Sequence, residues 1–339
     1  MSRKRKLRPV LDGDWRLIGP APDLKALLPG AERWEEKWIT GGRTGEHNAP
    51  VDHHIVRDPQ GTWHLWGCVR AASVGRILYH WTATDFRQSP WTPTRELIRV
   101  DRTVGESLAS SEGGGPVIRE VEECIQSPFF VHHAGVYHMF YGGGMARPAR
   151  DARSDSDSQM CLMVSGDART WKRRINSDGQ SRLFTGPGPT RDPCVIRIGG
   201  RWHLYYAGTR NNDPLQPVFW CRTSDDLVTW SEPRAVHCDL SLSDHRWGTE
   251  CPFVVFRDGY YYLFRTQNYY ESRTHVFRSE DPLDFGVDDT SRTYVGTFPV
   301  AAPEIHVMDD GCEYVSSNHN PPLGTQICRM KWVGDESQE

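Results

Sequence analysis

The chain is defined first by what it lacks. Over 339 residues no apolar run reaches the roughly 18 residues that a membrane-spanning helix needs, and no apolar core follows the basic start. Neither a membrane span nor a secretory signal is therefore expected, and a cytoplasmic location is the corresponding expectation. The nine cysteines form no C-x-x-C pair and are odd in number, which argues against a zinc site or a disulfide framework. Most of them sit inside apolar strand patterns, where a free thiol behaves as a small hydrophobe. The net charge is only −4 with both signs interspersed, so neither nucleic acid nor an anionic membrane is indicated as a partner. The one basic run, Ser2–Arg8, is short and isolated, and it reads as a solvated tail.

What is present is aromatic and repetitive. Thirteen Trp, twelve Tyr and twelve Phe stand in a composition that is 37% hydrophobic and 25% charged, typical of a soluble globular chain with a heavy aromatic load. An apolar stretch, a turn and an aromatic-rich strand recur five times, opening at Val51, Gln126, Arg191, Glu250 and Ala302. The turns carry the residues that chain reversal needs, at Asp58-Pro-Gln-Gly, His133-Ala-Gly, Gly199-Gly, Asp258-Gly and Asp309-Asp-Gly. A third strand with an acidic tail follows in four copies, at Asp85, Asp167, Asp226 and Asp281, and then a short polar-alternating strand.

Four antiparallel strands repeated at this spacing predict an all-β, five-bladed β-propeller. Residues 1–30 read as an N-terminal extension and 31–335 as a single propeller domain. Closing the ring requires the two ends of the chain to share a blade, with Trp34–Thr40 and Gln326–Val333 as the strands expected to do so. Three stretches exceed the pattern, at 101–120, 147–158 and 208–216. They are plain surface loops or the rim of a pocket.

In a propeller the first strand of each blade lines the central channel, so the starts of the five segments converge. Aligned on the proline, Asp52 and Asp192 take equivalent places, Ser127, Cys251 and Ala302 take that place elsewhere, and Glu250 sits one residue earlier. Singly, each acid could be a turn cap at a strand start. Three carboxylates around one small funnel are costly unless they are used. Paired carboxylates are the working parts of glycoside hydrolysis, one as nucleophile or base and the other as general acid.

Arg191-Asp-Pro and Glu250-Cys-Pro resemble the Arg-Asp-Pro and Glu-Cys-Pro motifs of glycoside hydrolase family 32, and the spacing from Asp52 to Trp63-His-Leu resembles that family's first repeat. The three acids also resemble the Asp, Asp, Glu set of families 43, 62, 68 and 117, which share the five-bladed fold. Where family 32 has Asn-Asp-Pro-Asn-Gly this chain has Val51-Asp-His-His-Ile, and no β-sandwich follows the last repeat. The resemblance implies a glycosidase acting on a terminal sugar of an oligosaccharide or glycoside, a furanoside such as an arabinofuranoside or fructofuranoside. It implies Asp52 as nucleophile or base, Glu250 as general acid, Asp192 as the acid that holds sugar hydroxyls and tunes Glu250, and Arg191 beside it. A transglycosylase or anhydro-sugar-forming enzyme on the same acids, and a non-catalytic carbohydrate-binding propeller, stand as alternatives.

Supporting residues follow from position. Strand alternation sends His53 and His54 to opposite faces, one toward the channel and one into packing. Trp247 is a sugar-stacking platform or blade packing, and Gln126 with Ser127 offers hydroxyl recognition without a carboxylate. Glu304 and His306 lie near the axis, where related propellers sometimes hold a central cation. No cofactor is expected to be required, with a structural Ca2+ or Na+ near His306 as the one candidate, and His306 reads first as a satisfied structural histidine. His64, His138 and His203 recur at one strand position and belong to the scaffold.

Overall fold

The computed structural model describes residues 4–28, 50–72, 74–106, 108–109, 122–144, 158–211, 216–242, 248–269, 271–318 and 324–335. Strands dominate it, with two short 3-10 turns at Arg102–Val104 and Leu240–Leu242. The chain divides into two compact units, one of residues 18–193 with 323–325 and the other of residues 1–17, 194–322 and 326–339.

In the first unit, Pro50–Arg57, Trp63–Ala72, Gly75–Ala83 and Thr92–Ile98 form one antiparallel meander. Glu122–His133, Val136–Gly144 and Ser158–Ser165 form a second, edged by Lys172–Arg173 and Arg182–Phe184. A short parallel bridge, Gly75 to Glu123 and Arg76 to Cys124, merges the two, and with Leu108–Ala109 paired to Glu122 and Glu123 they make one ten-stranded sheet. Glu123 backbone atoms lie where a Cβ on Gly75 would fall, and Gly75 has φ of 113°, so only glycine allows this approach. Trp66, Cys68, Leu78, Ile125, Phe130, Tyr141 and Met163 bury their side chains together as the core of this unit.

Arg191–Ile198, whose first three residues close the first unit, leads into Arg201–Thr209, Pro217–Ser224 and Arg234–His237 of the second as one four-stranded sheet. Glu250–Arg257, Tyr260–Asn268, Arg273–Ser279 and Tyr294–Phe298 form another. The last sheet takes Glu304–Val307, Glu313–Ser317 and Thr325–Gly334, and its edge is Leu7–Leu11, paired from Leu7 opposite Gly334 to Leu11 opposite Met330. Gln326–Val333 is thus a strand as expected, but its described edge partner comes from the segment set apart as an extension. Trp34–Thr40 lies outside the described residues.

The physical reason is alternation: Leu7 and Pro9 face inward while Arg8 faces out, and Leu7 joins Tyr262, Phe264, Val315 and Met330 in the core. The basic start is also not a free tail. Lys4 reaches Glu280 at 2.7 Å and Arg5 reaches Asp258 at 2.8 Å.

The acidic tails of the third strands have one shared task. Asp85, Asp167, Asp226 and Asp281 each accept the backbone N–H two residues on, from Arg87, Arg169, Val228 and Leu283, at 2.8–2.9 Å. These recurring acids cap turns, which is why they recur. Those hydrogen bonds hold the Asp167 and Asp226 carboxyls down to about 2 against the desolvation that opposes them. His64 is likewise scaffold, set between Asp58 at 3.1 Å and His80 at 3.1 Å. All nine cysteines are free thiols, and burial pushes Cys161 and Cys194 up to about 12, which leaves them inert.

Behind the first unit's core sits a fully buried carboxylate that sequence reading did not single out. Glu106 takes Arg173 Nε at 2.7 Å and Nη2 at 2.8 Å, the Ser181 hydroxyl at 3.0 Å, the Asp101 N–H at 2.9 Å and the Tyr141 hydroxyl. Burial, with Cys161 and Glu106 alongside, pushes the Tyr141 phenol well above its ordinary range, so it stays a donor. Removing one partner of such a pair strands the other in low dielectric. Glu106→Gln is expected to lower the unfolding free energy by about 3 kcal/mol, and the Glu106→Met/Arg173→Met double variant by clearly less, in urea titrations. Equal losses would show that charge pairing does not set the cluster's worth.

Candidate active site

Three of the inner strands open on a β-bulge. The ladder shifts register between Pro50 and His53, between Gln126 and Phe129, and between Glu250 and Phe253. At Ser127, Asp192, Cys251 and Ala302 the backbone is left-handed, with φ of 52°, 56°, 50° and 48°, and each of these residues precedes a proline. Proline suits the bulge because it has no N–H to withdraw from the ladder. The extra residue turns the side chain before the proline out of the strand's alternation.

Counting from the paired residues on either side of the bulge, Asp52 aligns with Pro128 and Pro252, one place after the position that Ser127 occupies. The expected equivalence of Asp52 and Asp192 is therefore off by one residue. The first segment has His53 where the others have Phe129, Cys194, Phe253 and Glu304 after their proline, and Asp52 itself takes the proline's place without the left-handed turn.

Despite that offset the two carboxylates meet. The Ser127 Oγ lies 2.6 Å from Asp192 Oδ1 and 2.9 Å from Asp52 Oδ2, and Ser127 and Asp192 are 4% and 6% exposed. Arg191 places its Nε 3.5 Å from the other oxygen of Asp192. Gln126 is buried and accepts from Arg76. A Cβ on Gly142 would fall 3.2 Å from Gln126 Cγ and 3.4 Å from Arg191 Cβ, so this glycine makes room for both. His54 packs on Phe129, with ring centroids 3.9 Å apart, and on Phe130 at 4.7 Å, which identifies it as the packed histidine of the pair. His53 is buried on the alternate side of the strand.

The other predicted residues belong to the second unit. Glu250 is half-buried and is the first residue of its strand, opposite Thr266. What holds the segment leading into it was not read from sequence: Arg265, fully buried, donates from Nε to the Gly248 carbonyl at 2.9 Å and from Nη1 to the Asp239 carbonyl at 3.1 Å. Nη1 also lies 3.3 Å from His237 Nε2, while His237 Nδ1 lies 3.2 Å from the Phe285 carbonyl. Those partners require Nδ1–H and a bare Nε2, a neutral imidazole. Burial and the adjacent guanidinium hold His237 down to about 3.

Glu304 is buried at the start of its strand, opposite Ser316, and His306 has Nε2 2.8 Å from the Ser316 hydroxyl. One ring nitrogen of His306 is therefore committed to the scaffold. Trp247 lies outside the described residues.

No protein-family model matches the chain, and no curated protein matches it. Solved structures do. A thermostable family-43 glycoside hydrolase superposes with a TM-score of 0.56 at 14% identity, over 86% of this chain and 91% of that one. An α-L-arabinofuranosidase from Lactobacillus brevis gives 0.56 at 13%, over 83% and 90%. An exo-1,5-α-L-arabinanase from a bovine ruminal metagenomic library gives 0.52 at 16%, over 87% and 96%. These likenesses establish a shared fold.

The support behind Glu250 is testable through pH. Because His237 is neutral when folded and protonates near 6.5 when unfolded, its contribution is complete above pH 6.5 and is lost as pH falls toward about 3. Thermal melts should show stability declining by several kcal/mol over that window, and His237→Asn should flatten part of the decline. An unchanged profile in the variant would contradict the assignment.

Proposed function

We propose that the chain is a glycoside hydrolase built as a single five-bladed propeller domain, and that Asp52, Asp192 and Glu250 carry its chemistry. The observation that carries this reading is the Asp52 and Asp192 pair drawn onto one buried hydroxyl at the openings of two inner strands. Two carboxylates so close repel when both are ionised, and a binding surface has no use for that cost. The fold supports it, being shared with structures of glycoside hydrolases.

In this reading Asp52 activates water or attacks the anomeric carbon, Glu250 protonates the departing glycosidic oxygen, and Asp192 with Arg191 holds sugar hydroxyls. Gln126 and Ser127 border the acids, with His53, Glu304, His306 and Trp247 as further sugar contacts. A cation near His306 plays no part in the chemistry. Calcium and sodium prefer oxygen donors, which Glu304 and Ser316 rather than the imidazole would offer.

The substrate is a terminal furanoside, an arabinofuranoside first. One structure of similar fold, an α-L-arabinanase from Cellvibrio cellulosa, is complexed with arabinohexaose. Its TM-score is 0.51 at 14% identity.

A panel of nitrophenyl furanosides and pyranosides tests the reading. Wild type should release nitrophenol from a furanoside, and Asp52→Asn and Glu250→Gln should each lower kcat by at least about a hundredfold. Turnover that survives both substitutions would refute the assignment of the acids. Sugar binding without any turnover would favour the non-catalytic alternative, and disaccharide or anhydro-sugar products would favour transfer over hydrolysis.

A further inference from the structure

We propose that Gln126 is a specificity-determining residue whose amide is held in one orientation by Arg76, so that it meets a bound sugar only as a hydrogen-bond donor, an inference that deepens the hydrolase reading and rests on it for the class of ligand. Its basis is a half-satisfied buried amide. Gln126 is 5% exposed, its Oε1 accepts from Arg76 Nη1, and among the described residues no acceptor meets its Nε2. Buried amide nitrogens are ordinarily satisfied, and an oxygen atom of a ligand beside Ser127 satisfies this one.

The chemistry of the partner fixes the orientation. A guanidinium carries donors alone, so it can face only the amide oxygen, and turning the amide over sets two donor groups against each other. Arg76 is brought into place by the backbone. Gly75 pairs with Glu123 and Arg76 with Cys124 in parallel, an approach that a Cβ on Gly75 would block. Residues two apart on a strand share a face, so Arg76, paired with Cys124, reaches Gln126 on that face. The ladder partner of Gln126 is Gly142. A Cβ there would fall 3.6 Å from Gln126 Nε2 and 3.4 Å from Arg191 Cβ, so the missing side chain leaves room next to the amide nitrogen.

The neighbours define what can fill that room. Ser127 follows Gln126 and carries its hydroxyl to Asp192 and Asp52, and Arg191, beside the same glycine, flanks Asp192. A sugar hydroxyl has one hydrogen and two lone pairs. When it accepts from Gln126 it keeps its hydrogen for a carboxylate, which when ionised can only accept. The donors then run one way, from Arg76 through Gln126 and the sugar hydroxyl to an acid. Gln126 selects for an acceptor atom at one position of the sugar.

The experiment measures binding of p-nitrophenyl α-L-arabinofuranoside and its singly deoxy and deoxyfluoro analogues by calorimetry, in wild type and in Gln126→Glu. Fluorine keeps an acceptor where the deoxy sugar has none. At one ring position wild type should bind the fluoro analogue more tightly than the deoxy analogue, by at least about threefold, the scale of one neutral hydrogen bond. Gln126→Glu keeps an oxygen toward Arg76 and turns the other end into an acceptor, so at that position the order should reverse. An order that no position reverses overturns the proposal.

The part played by Arg76 is read without any ligand. In 13C-glutamine-labelled protein the Gln126 Cδ resonance, assigned by its loss in Gln126→Glu, should move upfield in Arg76→Met as the carbonyl loses its donor. Arg76→Lys, which keeps a cationic donor, should restore part of the shift, and an unmoved resonance in a folded Arg76→Met protein overturns the assignment. Should that variant fail to fold, the analogue series with Gln126→Glu remains decisive. Binding with the expected reversal but no hydrolysis would count against the hydrolase reading alone. Hydrolysis with an unreversed order would count against Gln126 alone, and no saturable binding of any analogue would overturn the proposal together with the arabinofuranoside assignment.

Discussion

The candidate site depends on a backbone constraint: a residue held left-handed just before a proline, where an inner strand opens. Ser127, Asp192, Cys251 and Ala302 all adopt it, with φ between 48° and 56°. For a residue with a Cβ this conformation costs on the order of 1 kcal/mol, and it persists only where the surrounding ladder over-determines it. What it yields is direction. The strand's alternation would send these side chains to a fixed face, and the bulge turns them out of it. Asp192 and Ser127 come from strands 65 residues apart and meet at 2.6 Å because both start from the same distorted backbone.

Around that constraint the structure invests in buried polar groups. Arg265 satisfies the carbonyls of Gly248 and Asp239 and forces His237 to stay neutral. Glu106 gathers Arg173, Ser181, Tyr141 and the Asp101 N–H behind the first unit's core. In both cases a long cationic side chain is buried only because oxygen partners meet its donors, since an unpaired buried charge would cost several kcal/mol. One of the two arrangements holds the segment that leads into Glu250.

Local chemistry made much of the fold readable. Turn residues at Asp58, Gly135, Gly199, Gly259 and Gly311 bracket strands whose middle members are buried along nearly their whole length. The tail aspartates recur because each caps the same kind of turn. Less was readable at the chain's start: Leu7–Leu11 lies beside Thr325–Gly334 because Leu7 joins the apolar cluster of that sheet, a contact no local pattern announces. The offset of Asp52 was likewise hidden, because proline marks the register in four segments and the first has none.

The sequence by itself determined the all-β class and the recurring meander, and it marked Asp52, Asp192 and Glu250 as candidates, because periodicity, turn chemistry and residue type act over a few neighbouring positions. Only the tertiary structure decided that Asp52 and Asp192 meet on the hydroxyl of Ser127, and that Arg265 and His237 stand behind the approach to Glu250. Those contacts join residues 17 to 75 positions apart through side chains of a few ångströms, and their existence turns on bulges and burial that no local pattern encodes.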